Sequence, residues 1–423
     1  MSFFFTLTVI FVAGVLLFFL CRKIHLPALI GYLLLGILLG FLEEKYGSDS
    51  FHFFAPELSA ISSQIRKIAL IIILVKAGLS LNLKDLKKVG RPAVLMSFVP
   101  ACTEMVCVGL FAPLFFDLSY TESFLLGSVL GAVSPAVVVP MMSKLMDTHY
   151  GTDKGVPQLI IAGSSIDDII MIVFYQCFLT MEKGGRVSFL TFLNIPCSIL
   201  TGVLLGVGFG FLFSLLFEKA HIRDSIKLIL IFGISFGLTY LENAVAPYFG
   251  FSSLLAVISF CVVLNTRNKV QAQRLAQRCS KLWVLAEIFL FVLVGASIRI
   301  EYASEYFFLA LALIAISLTF RSIGVSLCLI KTKLNVKERL FTVFSYLPKA
   351  TVQAAIGGGL LDYGNELLAK GSERAGAVIA SGSIVLSVSV VAILITAPLG
   401  AILMNATYKK LLQKEETEEL PTE

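Results

Sequence analysis

Charge is scarce in this chain. Only 15% of its 423 residues are Asp, Glu, Lys or Arg, where a soluble domain carries about 25%. No long polar stretch interrupts the apolar ones, so a separate soluble domain is not expected. There is no Cys-x-x-Cys pair, and the four histidines do not cluster, which excludes the usual zinc spacings. No glycine-rich phosphate loop sits between a strand pattern and a helix pattern. Eight cysteines, at 21, 102, 107, 177, 197, 261, 279 and 328, all fall in apolar segments or at their basic ends. Structural disulfides are therefore not expected, nor is any cofactor. The net charge of +6 is spread over many loops, so nucleic acid is excluded as a partner.

What is abundant is apolar sequence. Hydrophobic residues make up 57% of the chain and mean hydropathy is +0.90. Thirteen membrane-crossing segments are predicted, near 2–21, 27–42, 66–83, 93–115, 122–143, 156–181, 191–216, 226–243, 249–266, 282–298, 304–330, 339–361 and 374–404. The last is expected to tilt or bend near Pro398. The first lacks a basic leader and a small-residue cleavage site and is read as a retained helix. Lysine and arginine alternate between loops: 23 lie in loops after odd-numbered segments and six in loops after even-numbered ones. This split predicts an outside N-terminus and a cytoplasmic C-terminus. The expected fold class is an all-α polytopic membrane protein. The acidic tail from Gln413 to Glu423 is expected to be disordered.

The two halves echo each other. Gly78-Leu-Ser-Leu-Asn-Leu83 resembles Gly295-Ala-Ser-Ile-Arg-Ile300, 217 positions on. Pro27 with Gly31 matches Pro247 with Gly250, and Pro135 matches Pro348, at nearly the same offset. That offset spans seven segments, an odd number, so the halves must have opposite orientation. Segments 1–6 against 8–13, with segment 7 as connector, make an inverted-topology repeat of the kind common in secondary transporters. Segments 5 and 12 each carry a central proline among small or polar residues, which predicts two discontinuous helices. Glycines at 202, 206 and 210, and at 36 and 40, have the spacing of close helix contacts.

Asp167 and Asp168 stand side by side within segment 6. An ionised carboxylate at the bilayer centre costs on the order of 2.5–3.5 kcal/mol even on mild scales. Two adjacent acids repel and cannot satisfy each other, so binding of a small cation, or of a proton in its place, is the reading that explains them. The backbone freed in segment 5 and the hydroxyls of Ser134 and Ser164 are further candidate ligands. Glu104 and Arg321 are intramembrane charges 217 positions apart, and repeat symmetry predicts that they meet as an ion pair. Lys349 lies at the second helix break. Glu287 and Lys76 are read as residues of a solvated cavity.

The runs Gly131-Ala-Val-Ser-Pro-Ala-Val-Val-Val-Pro140, Lys154-Gly-Val-Pro157, Asp167-Asp168 and Leu347-Pro-Lys-Ala-Thr-Val-Gln-Ala-Ala-Ile-Gly357 resemble those of the NHA-type sodium/proton exchangers. These are subfamily B of solute carrier family 9, in the cation/proton antiporter superfamily. The resemblance implies about 13 helices, two crossing broken helices, an elevator-type mechanism and a homodimer. It implies scaffold helices in 1–92 and 226–300, core helices in 93–181 and 301–404, a connector in 182–225 and a short acidic cytoplasmic tail in 405–423. Asp168 would be the main ligand for Na⁺ or Li⁺, Asp167 its partner, and Lys349 the neutraliser of the crossing helix ends. Arg321 stands where many bacterial relatives have a lysine, which argues against a lysine-based proton step. The implied activity is exchange of Na⁺ or Li⁺ for H⁺ by alternating access across a lipid bilayer, in the plasma or inner membrane. Alternatives are K⁺/H⁺ exchange and sodium-coupled symport of an organic anion.

Overall fold

The computed structural model describes residues 3–24, 26–46, 54–81, 90–184, 189–219, 222–245, 250–298 and 305–415. In chain order the helices are α1 (Phe3–Lys23), α2 (Ala28–Tyr46), α3 (Pro56–Ala60), α4 (Ser62–Ser80), α5 (Arg91–Met96), α6 (Val99–Phe115), α7 (Tyr120–Leu130), α8 (Pro135–Asp147) and α9 (Val156–Gly184). They continue as α10 (Phe189–Lys219), α11 (Asp224–Val245), α12 (Ser253–Arg267), α13 (Lys269–Ala296), α14 (Phe307–Cys328), α15 (Val336–Ser345), α16 (Thr351–Ile356), α17 (Gly359–Ala369) and α18 (Ala375–Leu411). Among the described residues the one β element is an isolated bridge between Tyr150 and Lys414. Among the described residues, nine stretches are long and apolar enough to cross a membrane when α5–α6 and α7–α8 are each taken together. The fold is a membrane-spanning helical one, and its lipid-facing positions carry exposed apolar side chains such as Phe4, Leu114, Leu204 and Phe308.

Packing follows the repeat. Helix α13 lies against α2 and α4, α4 also lies against α12, and α10 covers α12. Elsewhere α6 packs on α7 and α14, α9 on α5, α7 and α8, and α18 on α15 and α17. Gly78 of α4 faces Ile258 and Cys261 of α12, while Gly295 of α13 faces Leu33, Gly36 and Ile37 of α2. These are the contacts that repeat-related glycines should make. A Cβ at 295 would come within 2.3 Å of the Leu33 carbonyl oxygen, so the two backbones touch only because glycine is there. Gly202, Gly206 and Gly210 bring α10 onto α12 in the same way. Capping boxes open two further related helices, Ser119 with Glu122 at α7 and Asn335 with Glu338 at α15. Each reciprocally satisfies two orphan N–H groups. The Pro247 half of the second sequence match lies outside the described residues.

Several expectations change. Segment 4 is two helices, because Pro100 sits in the first turn of α6 and the chain turns at Ser97–Phe98. Segment 10 starts at Lys269, not 282. Arg274, Arg278 and Lys281, expected in a loop, lie on a helical extension started by the Asn268 cap on the Gln271 N–H. Segment 12 runs on through α17 to Ala369, past the expected end at 361, with a joint at Gly357–Gly358. Helix α18 runs on past the expected end at 404, to Leu411, with Pro398 inside it. The start of the acidic tail is ordered: Gly151 N–H donates to Gln413 O at 2.7 Å and Glu415 N–H to His149 O at 2.8 Å. Residues 416–423 lie outside the described residues.

Candidate functional site

Both predicted breaks are present, and they cross. The first is the non-helical stretch 131–134 between α7 and α8, and the second is 346–350 between α15 and α16. The Ser134 N–H donates to the Pro348 carbonyl at 2.8 Å, tying one break to the other. Pro135 is the first residue of α8, where its missing N–H leaves nothing unsatisfied. It therefore starts a half-helix and does not kink a whole one. Ser134 is the N-cap residue of α8, yet its hydroxyl makes no capping bond.

A helix that ends inside the protein leaves carbonyl groups without partners and a partial negative charge. Here side chains supply the donors. The Lys349 ammonium donates to Leu130 O at 2.5 Å, and the Gln353 amide donates to Val129 O at 3.0 Å and Ala132 O at 2.9 Å. Arg321 donates through Nη1 to Gly131 O and through Nε to Tyr346 O, each at 2.5 Å, so it serves the ends of both α7 and α15. The ring of Tyr346 lies beneath its guanidinium, 5.5 Å from Cζ to the ring centre. The Lys349 N–H donates to the Thr396 hydroxyl oxygen at 2.9 Å, which anchors the second break to α18.

The same two cations bind acids. Arg321 Nη1 is 2.7 Å from Glu104 Oε2, and Arg321 Nη2 is 2.9 Å from Asp167 Oδ2. Lys349 Nζ is 2.8 Å from the Glu104 carboxylate. Glu104, Asp167, Arg321 and Lys349 are all 0% exposed. The repeat-symmetric pair thus forms as expected, within a larger network. Asp167 also accepts the Val133 N–H at 3.3 Å. Its other oxygen, Oδ1, is buried without a hydrogen-bond partner, as are Asp168 Oδ1 and Ser134 Oγ. Asp168 itself is half-buried and has no ion pair among the described contacts. Ser164 is buried, but its hydroxyl donates within its own helix to Ile161 O at 3.2 Å.

All three acids come from the first half of the chain and both cations from the second. Taken as ionised, Glu104, Asp167, Asp168, Arg321 and Lys349 sum to a formal charge of −1, and Asp168 is the member left over. The structure brings together Glu104, Asp167, Arg321, Lys349 and the first break, with Asp168 and Ser164 on the helix that carries Asp167. Glu287 and Lys76 lie elsewhere, half-buried on α13 and α4, where Lys76 is the cation that acts on Glu287. Gln353, Tyr346 and Thr396 were not anticipated. Gln353 had a signal: it is a polar residue in an apolar run, four positions after Lys349 and in the first turn of the helix that leaves the break.

The polytopic helical fold is similar to that of MjNhaP1, a sodium proton antiporter from Methanocaldococcus jannaschii. The two superpose with a TM-score of 0.80 over 97% of this chain and 99% of that one, at 21% identity. The family model described as Sodium/hydrogen exchanger, transmembrane, matches residues 7–408, and the chain belongs to that family, one of transporters and not enzymes. Its relatives place it with the NHA-type, 9B branch. Sodium/hydrogen exchanger 9B2 of Homo sapiens is 35% identical over 367 residues, covering 84% of this chain and 65% of that protein. Sodium/hydrogen exchanger 9B2 of Mus musculus is 33% identical over 395 residues, covering 92% and 69%. Sodium/hydrogen exchanger 9B1 of Mus musculus is 32% identical over 396 residues, covering 92% and 67%. The chain thus spans just under two thirds of the human relative's length.

Proposed function

We propose that the chain exchanges Na⁺ or Li⁺ for H⁺ across a membrane by alternating access, with cation and proton competing for Asp168. One observation carries the reading. Asp168 is the acid left without a counter-ion beside a network in which Glu104, Asp167, Arg321 and Lys349 are mutually satisfied. Its buried Oδ1, Asp167 Oδ1 and Ser134 Oγ are hard oxygen atoms without partners, the donor type that suits a small hard cation. Both ions neutralise the same unit of charge, so occupancy by one displaces the other.

The pairing of Asp167 with Arg321 supports a one-for-one, electroneutral cycle. An arginine does not release its proton at ordinary pH, so Asp167 keeps its counter-ion throughout and only Asp168 changes partner. The bound network moves as one body, α5–α9 with α14–α18, against a scaffold of α1–α4 and α11–α13, in an elevator of thirteen membrane-crossing units within a homodimer. The orientation has the N-terminus outside and the C-terminus in the cytoplasm of a plasma or inner membrane. Symport of an organic anion is disfavoured, because Arg321 and Lys349 are already bonded to acids and helix ends and neither is free to hold a carboxylate.

Purified protein in liposomes with a trapped pH-sensitive dye tests the reading. Na⁺ or Li⁺ should drive proton flux and an organic anion should not; K⁺-driven flux of equal size would replace the Na⁺ assignment with K⁺/H⁺ exchange. At equal pH on both sides, a membrane potential should not drive Na⁺ uptake. Potential-driven uptake that vanishes in Asp168→Asn would overturn the one-for-one cycle in favour of two protons per cation.

A further inference from the structure

A second ion pair, with its arginine buried and its carboxylate part-exposed, lies beside Tyr175, on the face of α9 that carries Asp168 and two turns along. Tyr175 follows Asp168 by seven residues, or about 10 Å of helix rise. Between them Met171 and Ile172 are buried at 0% and 2% exposure, and Tyr175 at 4%, so this face is closed toward the C-terminal end of α9. Capping it is Arg66 of α4, 4% exposed, whose Nη2 is 2.5 Å from Asp362 Oδ1 on α17. The layer is seated on the joint between α16 and α17. The Arg66 guanidinium rests on Gly358 and the Tyr175 hydroxyl on Gly359, and a Cβ at either glycine would collide with them. Lys67 and Glu366 are the neighbouring charges around Asp362.

The three side chains come from three different helices, and α4 packs with α12 and α13 whereas α17 packs with α18. The pair therefore joins two bodies that the exchange reading requires to move past each other. Its geometry suits a contact that is broken and remade. Only one carboxylate contact is formed, Arg66 Nη1 is buried without a partner, and the Asp362 side chain keeps 18% exposure to solvent. A two-pronged arginine–carboxylate pair would hold more firmly.

We infer that Arg66 and Asp362 form a bolt that, with Tyr175, closes the passage from Asp168 toward the C-terminal end of α9, and that parts when the site opens to that side. By the predicted orientation this is the outer side. The inference rests on the alternating-access reading above and adds to it the residues that seal one of the two exits.

The test is labelling of an Ile172→Cys variant by a membrane-impermeant maleimide, applied from each side of the membrane in turn and located by mass spectrometry, so that the native cysteines need not be removed. Labelling from the side that faces the C-terminal end of α9 should be slow in this parent. Adding Arg66→Gln or Asp362→Asn should speed it at least fivefold, and the swap Arg66→Asp with Asp362→Arg should return it to within twofold of the parent. Should Arg66→Gln fail to fold, Asp362→Asn and the swap still decide. Unchanged labelling in the folded single variants, or a swap labelled as fast as they are, would overturn the bolt. Cation-driven proton flux is measured on the same samples. Its absence in the unmodified protein would sink the exchange reading and leave the labelling comparison intact.

Discussion

Two buried arginines serve this molecule in different ways. At the crossing, Arg321 uses Nε, Nη1 and Nη2 on two carboxylates and two helix-end carbonyls, and it is 0% exposed. Near the C-terminal end of α9, Arg66 makes one carboxylate contact, has an unpaired Nη1, and faces a partner that still touches water. Burying a guanidinium is costly unless its donors are satisfied. A saturated one holds its surroundings in a single arrangement, since any movement breaks several bonds together. A singly bonded one separates at the loss of one contact. The number of bonds, more than the depth of burial, distinguishes a strut from a contact able to part.

The largest expected effect concerns the acid that neither arginine holds. Asp168→Asn should abolish cation-driven proton flux without lowering the melting temperature, because no ion pair is lost. Wild-type flux in that variant would remove Asp168 from the site. Next is the strut itself. Arg321→Gln leaves Glu104 and Asp167 short of a partner and should destabilise the fold by roughly 3–5 kcal/mol. Pairing it with Glu104→Gln should recover part of that in a denaturation series, and only part, since Asp167 and Lys349 then each lack a neighbour. Strictly additive losses would show that Glu104 and Arg321 are not coupled.

Gln353→Ala removes two neutral hydrogen bonds from the end of α7, at about 0.5–1.5 kcal/mol each. It should lower stability measurably while preserving the charge network. Of the three stability losses, the smallest should be that of Arg66→Gln, about 1 kcal/mol or less, because the released Asp362 carboxylate can turn to water. A loss as large as that of Arg321→Gln would erase the distinction between the two arginines.

Much of this arrangement was legible in the sequence, for identifiable reasons. Asp167 and Asp168 stand out because adjacent acids in an apolar run are so costly. The Glu104–Arg321 pair followed from a shared offset, and the two breaks from prolines at related positions. The pairing of Asp167 with Arg321 was not legible, since the choice of partner depends on how closely α9 approaches α14. Nor were Gln353, Tyr346 and Thr396, whose importance lies in which carbonyls the crossing exposes. The extension of α13 past its apolar stretch was missed because a helix continues on good helix-forming residues wherever a cap starts it, irrespective of hydropathy.

The allocation of charge between the two halves bears on the ancestry of the fold. Glu104 and Arg321 occupy equivalent positions, as do the two helix breaks. A protein assembled from two identical copies of the first half would set one glutamate against another, and two copies of the second half would set arginine against arginine. Either pairing leaves like charges in contact in a dry interior. The opposed pair requires that the halves be encoded separately and mutate independently. The charge pair that joins the halves is thus also what makes them unlike: at this one position the repeat has to be broken for the crossing to hold a neutral pair.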